Sequence, residues 1–223
     1  MWASVLVGSI SLATMEAVVI DLDAIARTEV TRAPFEFFTT PGVLSAVDLA
    51  TIRADFPKIR KAGIFPLSEL SYGTAFAQLI EEIRSQELAD VIAENYGVDL
   101  ADKPLMITVR GRAQMKDGRI HTDTKTKFVT CLLYLNDIWD ESGGRLRMLR
   151  RADDLDDWVA EIPPNGGTLA SFLRTDNSWH GHEPYEGERR YVMFNWMTSH
   201  AALERELGRH RFSAKVKQLN PFA

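Results

Sequence analysis

The chain is poor in cysteine: Cys131 is its only one, so no disulfide can form within it. That absence points to a reducing compartment, and the reading is a cytoplasmic protein. Cys131 itself lies in an apolar run, where a free thiol behaves as a small hydrophobe. Long hydrophobic runs are also missing. The first fourteen residues, MWASVLVGSISLAT, carry no charge at all. A secretory signal would begin with positive residues, and none occurs before Arg27. The run is too short and too polar to span a bilayer. It either packs as an edge strand or precedes the true start at Met15, and the second reading is preferred. Positive charge is not in excess either: a net charge of -5 argues against a general binder of nucleic acid or anionic membrane. The basic stretch GGRLRMLRR reads as a solvated strand edge. No internal repeat, low-complexity tract or long linker divides the chain.

With 45% hydrophobic and 26% charged residues over 223 positions, the composition is that of one globular unit with a substantial core. Residues 15–103 read as mostly helical. PGVLSAVDLATIRADFP is bounded by prolines and has apolar residues at helical spacing. GTAFAQLIEEIRSQELADVIAENYG is one long helix or two joined near Ser85 and Gln86, stopped by Gly97. From Pro104 to about 198 the pattern changes to short alternating runs. LMITVRGRAQM and GRIHTD look like strands of a tight hairpin turning at Asp117-Gly118. FVTCLLYLN, GRLRML, GTLASFL and RRYVMFNWM follow as further strands. A helix from about Ala201 to Gly208 and a tail, within residues 199–223, close the chain. Helices first and many short strands later predict a mainly β fold, an antiparallel sandwich or jelly roll braced by helices.

The chemistry starts at IHTDTKTKFVTCLLYLND. On a strand, side chains at i and i+2 share a face, so His121 and Asp123 point the same way. Alone, the pair is either two ligands of a divalent metal or an ion pair. A second source of imidazole lies downstream in NSWHGHEPYEGERRYVMFNW, which offers His180 and His182. Two histidines and one carboxylate form the facial triad of non-haem Fe(II) oxygenases and leave three coordination positions open. A 2-oxo acid fills two of them and dioxygen the third. A distal carboxylate on that co-substrate needs an arginine, held through parallel charge-assisted bonds. Arg189 and Arg190 are adjacent, so only one of them can face inward.

The segment HTDTKTKFVTCLLYLNDIWDESGGRLRML, with the later histidine, Pro184 and the aromatic strand ending at Trp196, resembles the core of the 2-oxoglutarate- and Fe(II)-dependent prolyl hydroxylases, oxygen-sensing members in particular. The resemblance runs from about Arg119 to Trp196. It implies a double-stranded β-helix of the cupin-like, jelly-roll kind. It also implies an Fe(II)-dependent dioxygenase that hydroxylates a substrate with release of succinate and carbon dioxide, with ascorbate as a candidate auxiliary reductant. Pro184 lies four residues after His180, so the implied triad is His121, Asp123 and His180. In the family a tryptophan follows the anchoring residue by six positions, which selects Arg190 as the anchor for 2-oxoglutarate, with Tyr134 beside it. His182 is then a flanking or exposed residue and Arg189 a solvated strand residue. Arg110 and Arg112 alternate on one strand near the mouth and are either solvated or in contact with substrate. Trp139, Trp158 and Trp179 read as packing residues and Asp153–Asp157 as a solvated loop or helix start. SWHGHEP departs from the oxygen-sensor pattern, so the resemblance does not carry over a substrate. A small molecule and a peptide, a prolyl substrate among them, both fit. A non-catalytic 2-oxoglutarate or oxygen sensor and a ligand-binding jelly roll are the competing readings.

Overall fold

Two sheets and a layer of helices follow from that pattern in the computed structural model, which describes residues 19–219. The uncharged segment at residues 1–14 lies outside the described residues, as does Met15. In chain order the first elements are α1 (Leu22–Ala26), β1 (Phe37–Thr40), α2 (Ala46–Ala54), β2 (Phe65–Pro66), α3 (Thr74–Ile83) and α4 (Gln86–Tyr96). The strands β3 (Leu105–Ala113), β4 (Lys127–Tyr134), β5 (Leu146–Leu149), β6 (Trp158–Ile162), β7 (Leu169–Leu173), β8 (His180–Gly181) and β9 (Gly187–Met197) come next, and α5 (His200–Leu219) follows them. The expected long helix is two: the Ser85 hydroxyl accepts from the Leu88 amide at 3.1 Å and starts α4, and Gly97 ends it at φ 64°.

The larger sheet has six strands in the order β1-β7-β4-β9-β3-β2, and the smaller has three in the order β6-β5-β8. Every paired strand in both is antiparallel. The strand period of two divides the large sheet cleanly. Val129, Cys131 and Leu133 of β4 and Val192, Phe194 and Trp196 of β9 face the helices, where they meet Phe76, Leu79, Ile80, Ile83 and Tyr96. Leu132 and Tyr134 of β4 and Tyr191 and Met193 of β9 face the small sheet, against Leu146, Met148 and Ile162. The Tyr96 hydroxyl donates to Ser171 on β7 at 3.0 Å, tying the helical layer to the sheet. Cys131 is buried beside the same serine, and burial pushes its thiol up to about 12.

Three expectations fail locally. The chain turns two residues earlier than expected, at Met115-Lys116, where the Asp117 amide donates to the Gln114 carbonyl at 2.8 Å, and residues 119–123 form no hairpin with β3; β3 pairs with β2 and β9 instead. The Asp117 carboxylate is bonded within its own turn, by the Gln114 amide at 3.0 Å and by Arg110. Strand β6 was not anticipated because it is an edge strand with only Ile162 buried, so it has no alternation to read. The last helix runs past Gly208, where the space around the glycine is open and no positive φ stops it. Among the described residues, no helix is long and apolar enough to cross a membrane.

Phe76 is fully buried between α3 and the sheet and stacks edge-on with Phe56. Phe76→Ala is expected to cost about 3–5 kcal/mol, on the order of 10 °C in melting temperature for a chain of this size. Thermal unfolding followed by circular dichroism measures it, and a shift under about 3 °C would contradict the helix-to-sheet packing described here.

Candidate active site

One reciprocal pair of backbone hydrogen bonds positions the site. His121 and His180 bond reciprocally, N–H to O at 3.0 Å in both directions, although His121 lies in a loop and His180 in β8. Their imidazoles therefore lie side by side, with ring centroids 4.3 Å apart. Each ring is oriented through Nδ1: that of His121 faces the Arg119 carbonyl at 2.8 Å and that of His180 the Ser178 carbonyl at 3.0 Å. A carbonyl can only accept, so each Nδ1 donates and each Nε2 keeps a free lone pair. Phe172 packs on the His180 ring at 4.6 Å.

Asp123 completes the group. One ligand atom from each of His121, Asp123 and His180 lies within 4.8 Å of the others. Lys127 Nζ donates to one Asp123 oxygen at 3.0 Å and the Thr130 hydroxyl to the other at 2.5 Å. The Arg174 Nε–H holds the Asp123 carbonyl at 3.1 Å, and Asn195 steadies Thr130 at 2.8 Å. Burial by itself would raise the Asp123 carboxyl, but Lys127, His180 and the Thr130 hydroxyl outweigh it and hold the group well below the usual carboxylate range. Burial lowers His180 to about 4, against the pull of Asp123. Two imidazoles oriented through Nδ1 and one ionised carboxylate, each braced by a fixed partner, suit a divalent first-row metal such as Fe(II).

Lys127 has no counterpart in the sequence reading. By parity it should face the helices with Val129 and Cys131. A register shift in the β4–β9 ladder between Lys127 and Val129 turns it into the cleft. Thr130 shares the parity of Leu132 and Tyr134, so its inward direction was legible.

The triad opens onto a cavity of about 340 Å³. Arg189 reaches into it and Arg190 does not. Arg189 is 2% exposed, its Nε–H donates to the Gly144 carbonyl at 2.9 Å, and Nη2 lies 3.5 Å from the Tyr134 hydroxyl. Its guanidinium stands 5.4 Å from the Tyr134 ring and 5.3 Å from the Tyr191 ring. Arg190 instead pairs with Glu188 at 2.8 Å and lies over Phe56 at 5.4 Å, outside the cavity. Parity explains why Arg190, expected as the anchor, does not line the cavity: Trp196 faces the helices, and counting back an even number of residues stays on that face. Among the described residues no carboxylate pairs with Arg189. Burial pushes the Tyr134 hydroxyl up to about 12, so it stays neutral and can donate.

His182 is buried rather than exposed and lines the same cavity. Its Nδ1 donates to the Glu183 carbonyl at 2.8 Å, and burial, with Arg189 next in importance, lowers it to about 4. It is not part of the three-residue cluster. Gly118 makes room for it: at φ 91°, a Cβ there would lie 2.4 Å from His182 Nδ1. Arg110 and Arg112 do not share a face, because the β3–β9 register shifts between them; Arg110 turns in and Arg112 stays exposed. Trp139 packs against Tyr185 at 4.7 Å, whereas Trp158 is substantially exposed. Asp153–Asp157 form a loop paired with Arg150 and Arg151.

Residues 112–198 match the sequence model of the 2OG-Fe(II) oxygenase superfamily. No curated protein matches the chain. Among solved structures, a prolyl-4-hydroxylase from Pseudomonas putida is similar at 19% identity and a TM-score of 0.53, over 79% of this chain and 90% of that one. HygX from Streptomyces hygroscopicus, solved with nickel and 2-oxoglutarate bound, is similar at 15% identity and a TM-score of 0.50, over 72% and 81%. At these identities the likeness speaks for the fold, a double-stranded β-helix.

The buried imidazoles set a pH dependence for the metal-free protein. His180 and His182 titrate near 4 when folded and near 6.5 when unfolded. Between those values the unfolded chain binds the protons, so stability falls on acidification from pH 6.5 towards 4, by up to about 2.7 kcal/mol per pH unit for the two groups. Replacing His182 with Asn is expected to remove about one proton from that slope. Urea unfolding with chelator present across this pH range measures it, and an unchanged slope would refute the buried, neutral state of His182.

Proposed function

We propose that this chain, which matches the 2OG-Fe(II) oxygenase superfamily over residues 112–198, works as a member of it, that His121, Asp123 and His180 hold Fe(II), and that Arg189, with Tyr134, holds the distal carboxylate of 2-oxoglutarate. The chain is a non-haem iron dioxygenase; with Fe(II) and 2-oxoglutarate bound it consumes dioxygen, hydroxylating a substrate as succinate and carbon dioxide are released. The observation that carries the residue assignment is the convergence of three metal-competent donors within 4.8 Å, each braced by its own partner, beside a cavity.

Each residue has a separable task. Lys127 and Thr130 keep Asp123 ionised and fix which way its oxygens point. The Arg119 and Ser178 carbonyls keep both Nε2 atoms free to bind metal. Arg189 is a buried cation lacking an anionic partner, a costly arrangement unless a ligand supplies the charge. The Gly144 carbonyl fixes its direction, and Tyr134 offers a neutral hydroxyl beside it. Leu132, Leu146 and Met193 wall the cavity with apolar groups that limit water. The single cysteine, fully buried, supports a reducing compartment such as the cytoplasm.

Asp123→Ala and His180→Ala are expected to abolish succinate formation and to lose Fe(II) on anaerobic desalting, with the fold retained. His182→Ala is expected to keep its iron. Iron retained by purified Asp123→Ala would refute the triad. For 2-oxoglutarate, Arg189→Ala should raise the concentration required by about ten- to a hundredfold, as expected for loss of a hydrogen bond to a charged group. Arg190→Ala should leave it within about twofold and Tyr134→Phe should fall between. Uncoupled succinate formation in air measures these values without a known substrate. Binding of 2-oxoglutarate without any succinate would favour a sensor over an enzyme.

A further inference from the structure

The chain as a whole is acidic, at -5, yet its cavity is basic. Arg110, Lys116, Arg119, Lys127 and Arg189 line it, against two carboxylates, Asp117 and Asp123. Two of the cations are accounted for: Lys127 is bound to Asp123, and Arg189 awaits the distal carboxylate of the co-substrate. Three remain at the mouth, Arg110, Lys116 and Arg119, and they face only Asp117. A concave wall of one sign, lined with low-dielectric side chains, concentrates ligands of the opposite sign.

Arg110 is the built element of this group. Its side chain is 10% exposed, and among the described residues its carboxylate partner is Asp117 alone. That carboxylate is shared, since the same oxygen also accepts from the Gln114 amide. The Nε of Arg110 is buried without a hydrogen-bond partner. The Tyr191 ring is near both guanidinium groups of the cavity, 6.0 Å from Arg110 and 5.3 Å from Arg189. Arg189 has Tyr134 as a hydrogen-bond partner, whereas Arg110 has Asp117, whose chain neighbour Lys116 is exposed, as is Arg119.

We propose that the cavity binds two anions at once: 2-oxoglutarate at Arg189, and a small substrate bearing a carboxylate or phosphate group at Arg110. The proposal rests on the co-substrate assignment above and adds the substrate class. A planar guanidinium matches either oxyanion through parallel N–H bonds. Ile64, Leu132 and Leu146 line the space beside it and suit a short carbon skeleton. A volume of about 340 Å³, shared with 2-oxoglutarate, admits a ligand of amino-acid or sugar-phosphate size. Arg110 is thus a specificity-determining residue, and Asp117 holds it in place until the substrate anion arrives.

The test uses the full chain loaded with Ni(II) and saturating 2-oxoglutarate. Sulfate, standing in for a phosphate ester, and acetate are titrated separately by calorimetry; the better binder identifies the type of oxyanion. At least one is expected to bind saturably, in about the millimolar range. Arg110→Met should weaken that binding at least about tenfold while changing 2-oxoglutarate affinity less than about threefold. Asp117→Asn should tighten it, because the competing carboxylate is gone, and this variant decides the matter if Arg110→Met does not fold. Arg112→Met, on the exposed part of β3, should bind as the wild type does. The inference is overturned if neither anion binds, if Arg110→Met binds like the wild type, or if Asp117→Asn binds no more tightly. It is also overturned if Arg110→Met loses 2-oxoglutarate as Arg189→Met does, which would assign both guanidinium groups to the co-substrate. Failure of 2-oxoglutarate itself to bind would appear in the first titration and would instead refute the functional reading.

Discussion

The reciprocal hydrogen bonds between the backbones of His121 and His180 hold the site together. They join a loop that follows β3 to a two-residue strand of the small sheet, nearly sixty positions later. Neither segment is rigid alone; one is a loop and the other is β8, anchored only through β5. Bonding the two residues directly opposite each other brings both imidazoles to the same side. The carbonyls of Arg119 and Ser178 then choose the nitrogen that faces outward. Asp123, Thr130 and Asn195 extend this arrangement as a chain of hydrogen bonds into the large sheet, with Lys127 closing it from β4. The metal-competent donors thus stand between the two sheets, the imidazoles oriented by backbone carbonyls and the carboxylate by the side chains of Lys127 and Thr130.

Charge is the second organising constraint. Buried ions are costly unless paired, and the cleft contains several. Asp123 is paired with Lys127, and Arg110 with Asp117. Arg189 has only neutral neighbours, a carbonyl, a phenol and two aromatic faces. Those neighbours soften the cost without neutralising the charge, so the site is preorganised for an anion rather than satisfied without one. The neutral state of His182, next to two guanidinium groups, has the same origin: burial and cationic neighbours both disfavour its protonated form.

How far the site could be read in advance follows residue by residue. His121 and Asp123 are two apart, and the histidine–proline spacing singled out His180 over His182; the structure brings those three together. Tyr134 and Thr130 share one strand parity and do face the cleft. Arg190 was selected by counting back from Trp196, and the count failed because Trp196 packs on the helices. An even interval keeps the helix-facing side, whereas the cavity is lined from the odd positions Arg189, Tyr191 and Met193. Lys127 could not be assigned either, since it adjoins a register shift that reverses the ordinary alternation, and a second shift separates Arg112 from the face that Arg110 takes. The expected hairpin at Asp117-Gly118 failed because β9 took the place beside β3 that a local partner would have filled.

The sequence by itself determined what depends on neighbours along the chain. That comprises the helix-to-strand change near Pro104, the cap at Ser85 that divides α3 from α4, the alternation of β4 and β9, and the donor types of the triad. Those features follow from backbone period, capping chemistry and ligand chemistry, all local. The tertiary structure alone decided which arginine enters the cleft, that Lys127 neutralises Asp123, and that His182 is buried beside Arg189. Each of these depends on ladder register between strands far apart in sequence. A shift of one residue there turns a side chain from one face of the sheet to the other, with no mark in the sequence around it.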